Sequence, residues 1–538
     1  MTVQDATTAP EWLHPAPGTA LPGPPPSPAT TAPAGQSLSG TAAPTAQHAS
    51  AALPTLARWA AGLRAEDIPD RVRTLAASQL LSQLASIRAG AAHPAGQRVI
   101  DAFGPPFQSN PALSACVLAA LGSFLNLDDT AYAGHLSNST VAVPLAYAHH
   151  LRLDGPALLT AIVVANECAS RITAAATLGP LRGQSALYTH LAGATAGRLH
   201  CQRAPAPQLT SALALAMAMP PWPLMRAFLA SDARLFNTFT PVRTAMDACD
   251  AAAAGLEGAP DLLEHPDGFL ARFATVPLPG ESTEGLGRRW HTDTLSFKMH
   301  PGGPGIDAAV DCASDLHRTL SLRCAGDIED VVVETSRYTL AASRIAQTYV
   351  DGPGAPLGAL VLHTPYTVAT ALLTGHLTVE DLTPPHCDEP ERWQLSARVR
   401  LVHDPAMTRA LFNAEAPFGQ AVRQAGTAAE PWLRSFGGDE LVHLAAQAGR
   451  LPRHQDFTQA AKLTGARVSV RLADGRTGSQ ERMIPLAAAG PHTRRHHTEL
   501  VQRKFTDLGG SRDVAEAIGH VDHMSTRELR SWVEAALR

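Results

Sequence analysis

The stretch FLNLDDTAYAGHLSNSTVAVP, residues 124–144, decides how the rest of the sequence is interpreted. An apolar run with helical spacing ends just before Asp128 and Asp129, and a polar loop that contains His135 follows. Residues 137–139, Ser-Asn-Ser, are expected to cap a second apolar helix, because their side chains accept hydrogen bonds from free N–H groups at a helix start. The sequence therefore predicts a loop of carboxylates, hydroxyls and an imidazole between one helix end and one helix start.

Two interpretations of this loop follow from the residues alone. Acid pairs and capping serines in loops are commonly just solvated. The alternative is a site for proton transfer on an anionic molecule, because an imidazole titrates near neutral pH and a helix start favours a carboxylate. A magnesium site at Asp128 and Asp129 lacks further oxygen ligands nearby in the sequence, so no metal is expected.

Composition restricts the classes of protein to be considered. The chain has 538 residues, 45% of them hydrophobic and 17% charged, which predicts a globular protein of two or three domains. A net charge of −5 favours neither nucleic acid nor an anionic membrane surface as a partner. The seven cysteines form no CxxC pair, which argues for a reducing compartment. Since no apolar run approaches the ~18–20 residues of a membrane-spanning helix, we expect a soluble, cytoplasmic protein.

The basic residues are almost all arginine. Of the 43 basic residues only three are lysines, namely Lys298, Lys462 and Lys504. In a sequence so rich in alanine and proline this indicates a composition bias, so any lysine kept for chemistry stands out more than usual.

Composition and periodicity divide the chain into four parts. Residues 1–50 contain no Lys or Arg and are dominated by Pro, Ala, Thr and Ser, which predicts a disordered tail rather than a signal or transit peptide. Residues 51–276 have the apolar spacing of a helical domain, with small residues that let helices approach closely. Alternating β-branched stretches predict an α+β domain over 277–490 with an antiparallel or mixed sheet, and 491–538 is helical again.

A second polar motif opens the α+β region. LSFKMHPGGPGIDAAVDC, residues 295–312, places Lys298 before a Gly- and Pro-rich elbow, residues 300–305, and a helix is predicted from near Ile306. Glycines let the backbone approach a ligand, and a helix start favours an anion. An ordinary turn before a helix has the same pattern, so this motif alone does not define a site.

The two motifs, in this order, resemble those of the MmgE/PrpD family, which includes 2-methylcitrate dehydratase, cis-aconitate decarboxylase and iminodisuccinate epimerase. LNLDDTAYAGHLSNS resembles the family's D-[FL]-x-D-T…H-P-S segment, and FKMHPGGPGIDAAVD resembles its K-x-Y-P…H-x-x-I-D segment. TPYTVATALLTGHLTVEDLT, residues 364–383, and VQRKF, residues 501–505, are similar to two later segments of the family. The resemblance extends from about residue 53 to the end.

This resemblance implies a fold and a chemistry. It implies a mostly α fold in which a large all-helical domain is interrupted by a smaller α+β lid domain, with the active site in the cleft between them, in a homodimer. It also implies a small-molecule substrate and proton transfer next to a carboxylate, as in dehydratases and decarboxylases, without a metal or organic cofactor. Negative charge develops in such reactions, and fixed cations and N–H groups stabilise it.

The positions that match the family supply candidate site residues. Asp129 and Thr130 match the family's Asp-Thr. His135 and Ser137 match its His-Pro-Ser, although a leucine replaces the proline, and Lys298 matches the lysine of the lid motif.

Other positions depart from the family pattern. Asn126 stands where the family has an acid, and Arg234 stands where it has a lysine. The guanidinium can bind a carboxylate but is a poor proton donor. His300 replaces the lid tyrosine and Asp307 the lid histidine, while Tyr349 is matched to an active-site tyrosine only by its spacing from another tyrosine.

These candidates are given roles as a hypothesis. His135 is the general base or acid and is oriented by Asp129, Lys298 and Arg234 bind negative charge, and His300 is a second proton carrier. The expected substrate-binding residues are Thr130, Ser137, Arg234, Tyr349 and Asn126. Two alternatives are a family member repurposed as a cyclase or isomerase in secondary-metabolite biosynthesis, and a non-catalytic family member that binds a ligand.

Overall fold

The computed structural model describes residues 51–180, 184–303, 305–448 and 456–538, without the side chains of residues 184–186 and 444–448. The predicted tail of residues 1–50 lies outside these ranges. Within them the chain is mostly α-helical and has few strands, all in small sheets, which confirms the predicted fold class.

Helices from the first half of the described chain surround one apolar core. Their bounds are α1 (Ala52–Gly62), α2 (Asp70–Ala92), α3 (Pro94–Phe103), α4 (Pro111–Ser123), α5 (Ser137–Thr140), α6 (Ala142–Leu151), α7 (Gly155–Ala176), α8 (Gln184–Cys201), α9 (Ala206–Ala218), α10 (Met225–Ala230), α11 (Phe236–Ala253) and α12 (Phe269–Phe273). Helix α10 is the exception, because its Leu229 is buried in a second apolar cluster. We call the other helices, with the C-terminal ones described below, the helical unit.

The sequence explains where the central helices begin and how they pack. Asn110 caps α4 by accepting hydrogen bonds from two N–H groups of its first turn, and Asp154 caps α7 in the same way through one N–H group. On α8, a Cβ atom at Gly193 would lie 2.7 Å from Thr140 Cγ2, and one at Gly197 would lie 2.8 Å from a proline carbon of α6. Glycine is therefore required for the close approach of these helices.

Helix α7 is the one helix in the described ranges that is long and apolar enough to cross a membrane. However, 94% of its apolar window is buried inside the protein. It packs most extensively against α8, and the burial identifies it as the central helix of the core.

The α+β unit follows, and its buried apolar residues form two further clusters. One surrounds the sheet, and the other consists mainly of residues 411–441. Its elements are α13 (Ile306–Leu320), β3 (Ile328–Thr335), α14 (Arg337–Gln347), α15 (Leu357–Leu360), α16 (Thr364–Thr374), α17 (Pro390–Ser396), β4 (Val399–His403), α18 (Pro405–Asn413), α19 (Gly419–Ala425), α20 (Glu430–Ala448), β5 (Ala466–Leu472) and β6 (Thr477–Arg482). Two further strands, β1 (Thr130–Ala131) and β2 (Gly134–His135), form a hairpin in the helical unit.

The four strands of the α+β unit form a mixed sheet in the order β4-β3-β5-β6. Strand β4 is parallel to β3, whereas β5 is antiparallel to both β3 and β6. The alternating stretch 393–402 is only partly a strand, because α17 occupies its beginning. Pro390 takes the first helical position, where a missing N–H costs nothing, and Trp393 packs against Tyr366.

The chain then returns to the helical unit through α21 (Pro491–Asp507), α22 (Arg512–Glu516) and α23 (Thr526–Leu537). Helix α21 packs against α2, and its Val501 and Phe505 are fully buried in the helical core. Within the described ranges, the α+β unit is therefore an insertion into a helical unit that is built from residues 52–273 and 491–537.

A buried ionic cluster fixes the segment that leads from the helical unit to the α+β unit. Glu167 of α7 accepts hydrogen bonds from the backbone N–H groups of His291 and Thr292, at 3.1 and 2.9 Å, and from Arg171 Nε at 3.3 Å. Arg171 also donates to two carbonyl oxygens of the same segment, at 2.8 and 2.6 Å. Both side chains of this pair have no exposed surface, so the segment is attached rigidly to the central helix.

The same segment places the second motif, residues 295–312, next to the first motif, residues 124–144. Thr130 and Ser296 exchange two backbone hydrogen bonds of 2.9 Å, and Gly302 N donates to Asn126 O at 3.2 Å. The elbow glycines are used in packing: Gly303 N donates to Val361 O, and a Cβ atom on Gly303 would lie 1.6 Å from a leucine side chain. Close packing against protein atoms is therefore sufficient to explain glycine at this position, and the approach of a ligand to this backbone stays a prediction.

Candidate active site

Asp128 and His135 form a hydrogen-bonded pair at the end of the loop. His135 Nδ1 lies 2.7 Å from Asp128 Oδ2, and Asn138 Nδ2 donates to the same oxygen at 2.8 Å. Gln83 of α2 in turn holds the amide oxygen of Asn138 at 3.0 Å. Although burial opposes ionisation, the charge and hydrogen bond of His135 lower the pKa of Asp128 to about 2.

The ionised Asp128 determines the tautomer of His135. A carboxylate only accepts hydrogen bonds, so Nδ1 of His135 carries the proton and Nε2 keeps a lone pair. Burial lowers the pKa of His135 below its ordinary value, even though Asp128 opposes this. The side chain is 20% exposed, while Asp128 has no exposed surface. The geometry is that of a general base held by a buried acid.

Asp129 does not orient His135, contrary to the sequence-based assignment. Its two oxygens accept hydrogen bonds from Ser82 Oγ at 2.6 Å and Ser137 Oγ at 2.9 Å, and Lys504 Nζ lies 3.8 Å from Oδ1. The two adjacent acids of the loop therefore have separate partners. Burial raises the pKa of Asp129 to about 6, although Lys504 and the two hydroxyls oppose it.

Ser137 therefore does not cap the second helix as predicted. Helix α5 begins after Leu136 without a side-chain cap, because the hydroxyl of Ser137 is taken by Asp129 and by Gln79 Nε2 at 3.0 Å. Ser137 is fully buried and positions the loop. Its predicted contact with a substrate has no support in this geometry.

Arg234 lies in a short helical turn, Asp232–Leu235, and is 5% exposed. Its Nε donates to Phe124 O at 2.7 Å, its Nη2 donates to Asn126 Oδ1, and its guanidinium lies 4.5 Å from the ring of Phe228. The two departures from the family pattern, Asn126 and Arg234, thus contact each other.

The charge of Arg234 is not balanced by a bonded carboxylate among the described residues. Its Nη1 is buried and has no hydrogen-bond partner there. Burial lowers its pKa to about 10, so it stays charged at neutral pH.

A small cavity of about 10 Å³, room for about one water molecule, lies between these groups. Its lining residues are Ser123, Phe124, Asn126, His135, Asn138, His190, Phe228, Arg234, Asn237 and Thr238. His190 is fully buried, with Nδ1 at 3.1 Å from a serine hydroxyl and Nε2 without a described partner. Burial lowers the pKa of His190 to about 3, so it is neutral.

The α+β unit contributes lysines to the same site. Lys298 is 5% exposed, and burial lowers its pKa although Asp128 and Asp307 oppose this. Lys462 Nζ donates to Thr130 Oγ1 at 3.0 Å, and burial lowers its pKa to about 8. The loop of the first motif therefore has Lys504 beside Asp129 and Lys462 bonded to Thr130.

Two of the predicted site residues have their main contacts outside the cavity. His300 Nε2 lies 3.1 Å from Asp311 Oδ1, and although burial opposes it, this pairing raises the pKa of His300. Tyr349 packs against the core of the α+β unit, and among the described side chains it has no contact with the site residues. Of the predicted residues, His135, Arg234 and Asn126 line one cavity. Thr130 pairs with His135 in the hairpin, and the charge of Lys298 acts on Asp128 and Arg234. The roles of these residues stay predictions.

His190 and Lys462 were missed by the sequence-based assignment. The signal for His190 was an imidazole in the middle of a helix rich in small residues. The signal for Lys462 was the scarcity of lysine. Within the described ranges no group of three or more His, Cys, Asp and Glu side chains is placed to hold a metal ion.

The fold and the site define a class of protein: a helical unit with an inserted α+β unit and a buried acid–imidazole pair at their junction. The chain belongs to the MmgE/PrpD family, because the family's N-terminal domain matches residues 54–280 and its C-terminal domain matches residues 300–433. Members of this family are generally lyases such as dehydratases. No curated protein matches the chain.

Proposed function

We propose that this protein is a cofactor-independent lyase or isomerase that transfers a proton at a carbon next to a carboxylate. The observation that carries the proposal is Arg234, a buried guanidinium without a bonded carboxylate among the described residues, which lines the same cavity as His135. An unbalanced buried charge is costly, and an anionic ligand removes that cost. A carboxylate of the substrate is the natural partner for the planar guanidinium.

His135 is the proposed base. Its Nε2 takes the proton from carbon, and the electron pair of the C–H bond either forms a double bond as a neighbouring group leaves or accepts a proton again in an isomerisation. Asp128 stabilises the imidazolium that forms. Lys298 and Arg234 stabilise the negative charge that spreads into the carboxylate.

The test is proton NMR of the purified protein with cis-aconitate, citrate, 2-methylcitrate and aspartate-derived acids in deuterated buffer. We expect exchange of a C–H proton next to a carboxylate for at least one acid, and its loss in Arg234→Met. Arg476→Met, which removes an exposed arginine of a β-turn, is the matched control. Binding of an acid without any exchange would favour the non-catalytic alternative and contradict the proposal.

The exchange rate should decrease when the pH is lowered below neutrality. Because burial lowers the pKa of His135 below its ordinary value, the neutral base is the main form at pH 7. The rate should fall as the pH decreases through that lowered pKa. A rate profile measured from pH 4.5 to 7.5 checks this, and an acid limb centred above pH 7 would be inconsistent with His135 as the base.

A further inference from the structure

We propose that Lys462 is a second anion-binding residue of the active site, which binds the ligand from the α+β side and holds the hydroxyl of Thr130. This inference rests on the proposed function only for what the ligand does after it binds. Its basis is the position of Lys462, which lies outside all the segments that resemble the family's motifs.

The backbone of Lys462 is fixed at the junction of the two units. Its N–H group donates to Ala489 O at 2.9 Å, and it forms a bridge with Ala416. Ala489 N in turn donates to Ser296 Oγ at 3.0 Å, and Ser296 pairs with Thr130. The lysine is therefore attached to the same strand segment that carries Lys298.

The ammonium group points at the loop of the first motif. Lys462 Nζ donates to Thr130 Oγ1 at 3.0 Å, and Thr130 is two residues from Asp128. The charged groups that act on Lys462 are Asp307, which favours its cationic form, and Lys298, which disfavours it.

The two lysines have too few acids nearby to balance them. Asp307 acts on both Lys298 and Lys462, and its Oδ1 is buried without a hydrogen-bond partner among the described residues. Asp128 and Asp129, the other two acids that act on Lys298, already have partners. Asp128 is bonded to His135, and Asp129 is bonded to two serine hydroxyls beside Lys504. The α+β side of the site therefore has an excess of positive charge, which an anionic ligand would balance.

The test is isothermal calorimetry of malonate binding to the full-length protein at pH 7.0 and pH 9.5. Because the pKa of Lys462 is about 8, its ammonium is largely lost at the higher pH. We expect the affinity to fall about tenfold, which corresponds to about 1.4 kcal/mol. In Lys462→Arg, whose guanidinium stays charged, most of that fall should disappear.

Two comparisons make the result specific. Lys462→Met should bind malonate about tenfold more weakly at pH 7.0 than the unaltered protein, whereas Arg476→Met should bind it equally well. An unchanged affinity in Lys462→Met, or the same fall with pH in Lys462→Arg, would overturn the proposal. Malonate binding that depends on Lys462 without any solvent exchange of substrates would uphold this inference and reject the proposed reaction.

Discussion

Replacing Asp128 with asparagine is expected to lower the turnover number about 10³-fold while the protein stays folded. The neutral amide cannot stabilise the imidazolium that His135 becomes after it takes a proton. If the amide turns its NH₂ group toward Nδ1, His135 must also carry its proton on Nε2, where the lone pair is needed. The rate of solvent deuterium exchange into the substrate measures this loss.

Asp129→Asn is the matched control, because it alters the neighbouring residue of the same loop. This change leaves the bond between Asp128 and His135 in place and removes the charge beside Lys504. We therefore expect a lower melting temperature and a smaller effect on rate. The opposite pattern, with the rate lost in Asp129→Asn and kept in Asp128→Asn, would restore the sequence-based assignment of Asp129 as the residue that orients His135.

Glu167→Ala is expected to lower the free energy of unfolding by about 3–5 kcal/mol, because it leaves Arg171 charged and buried without its partner. Two backbone N–H groups of the segment before Lys298 lose their acceptor as well. Urea denaturation followed by circular dichroism measures the change.

A surface ion pair provides the comparison for Glu167. Glu334 lies 3.1 Å from Arg467 with about a third of each side chain exposed, so Glu334→Ala should cost about 1 kcal/mol or less. Equal effects of the two substitutions would show that the buried cluster does not fix the segment between the units.

The sequence predicted the helical part of the chain well, because long apolar runs with clear start signals are easy to recognise. Central helices such as α4 and α7 are buried on nearly all sides. The sequence also located the loop of residues 124–144, since few stretches combine two acids, an imidazole and hydroxyls. The sequence did not predict in which direction two adjacent side chains point. Asp128 and Asp129 have the same chemistry, and only the loop backbone decides which of them meets His135.

Contacts between residues far apart in the chain were the second feature that could not be predicted from the sequence. Ser82 and Gln83 belong to a helix whose apolar spacing gave no sign of a polar contact, yet they hold Asp129 and Asn138. Lys504 was quoted within a family segment without a role. Pairing over 422 residues, as between Lys504 and Ser82, leaves no local pattern to detect.

The position of α21 has a consequence for synthesis on the ribosome. During synthesis, every loop of the active site and the whole α+β unit leave the ribosome before Lys504 does. Until then Asp129 has no cation beside it, and the face of α2 that α21 covers has no partner. N-terminal parts usually fold first during synthesis, whereas this helical unit waits for its last segment. A chain released early would carry the base and its acid and still lack the lysine that fixes their loop.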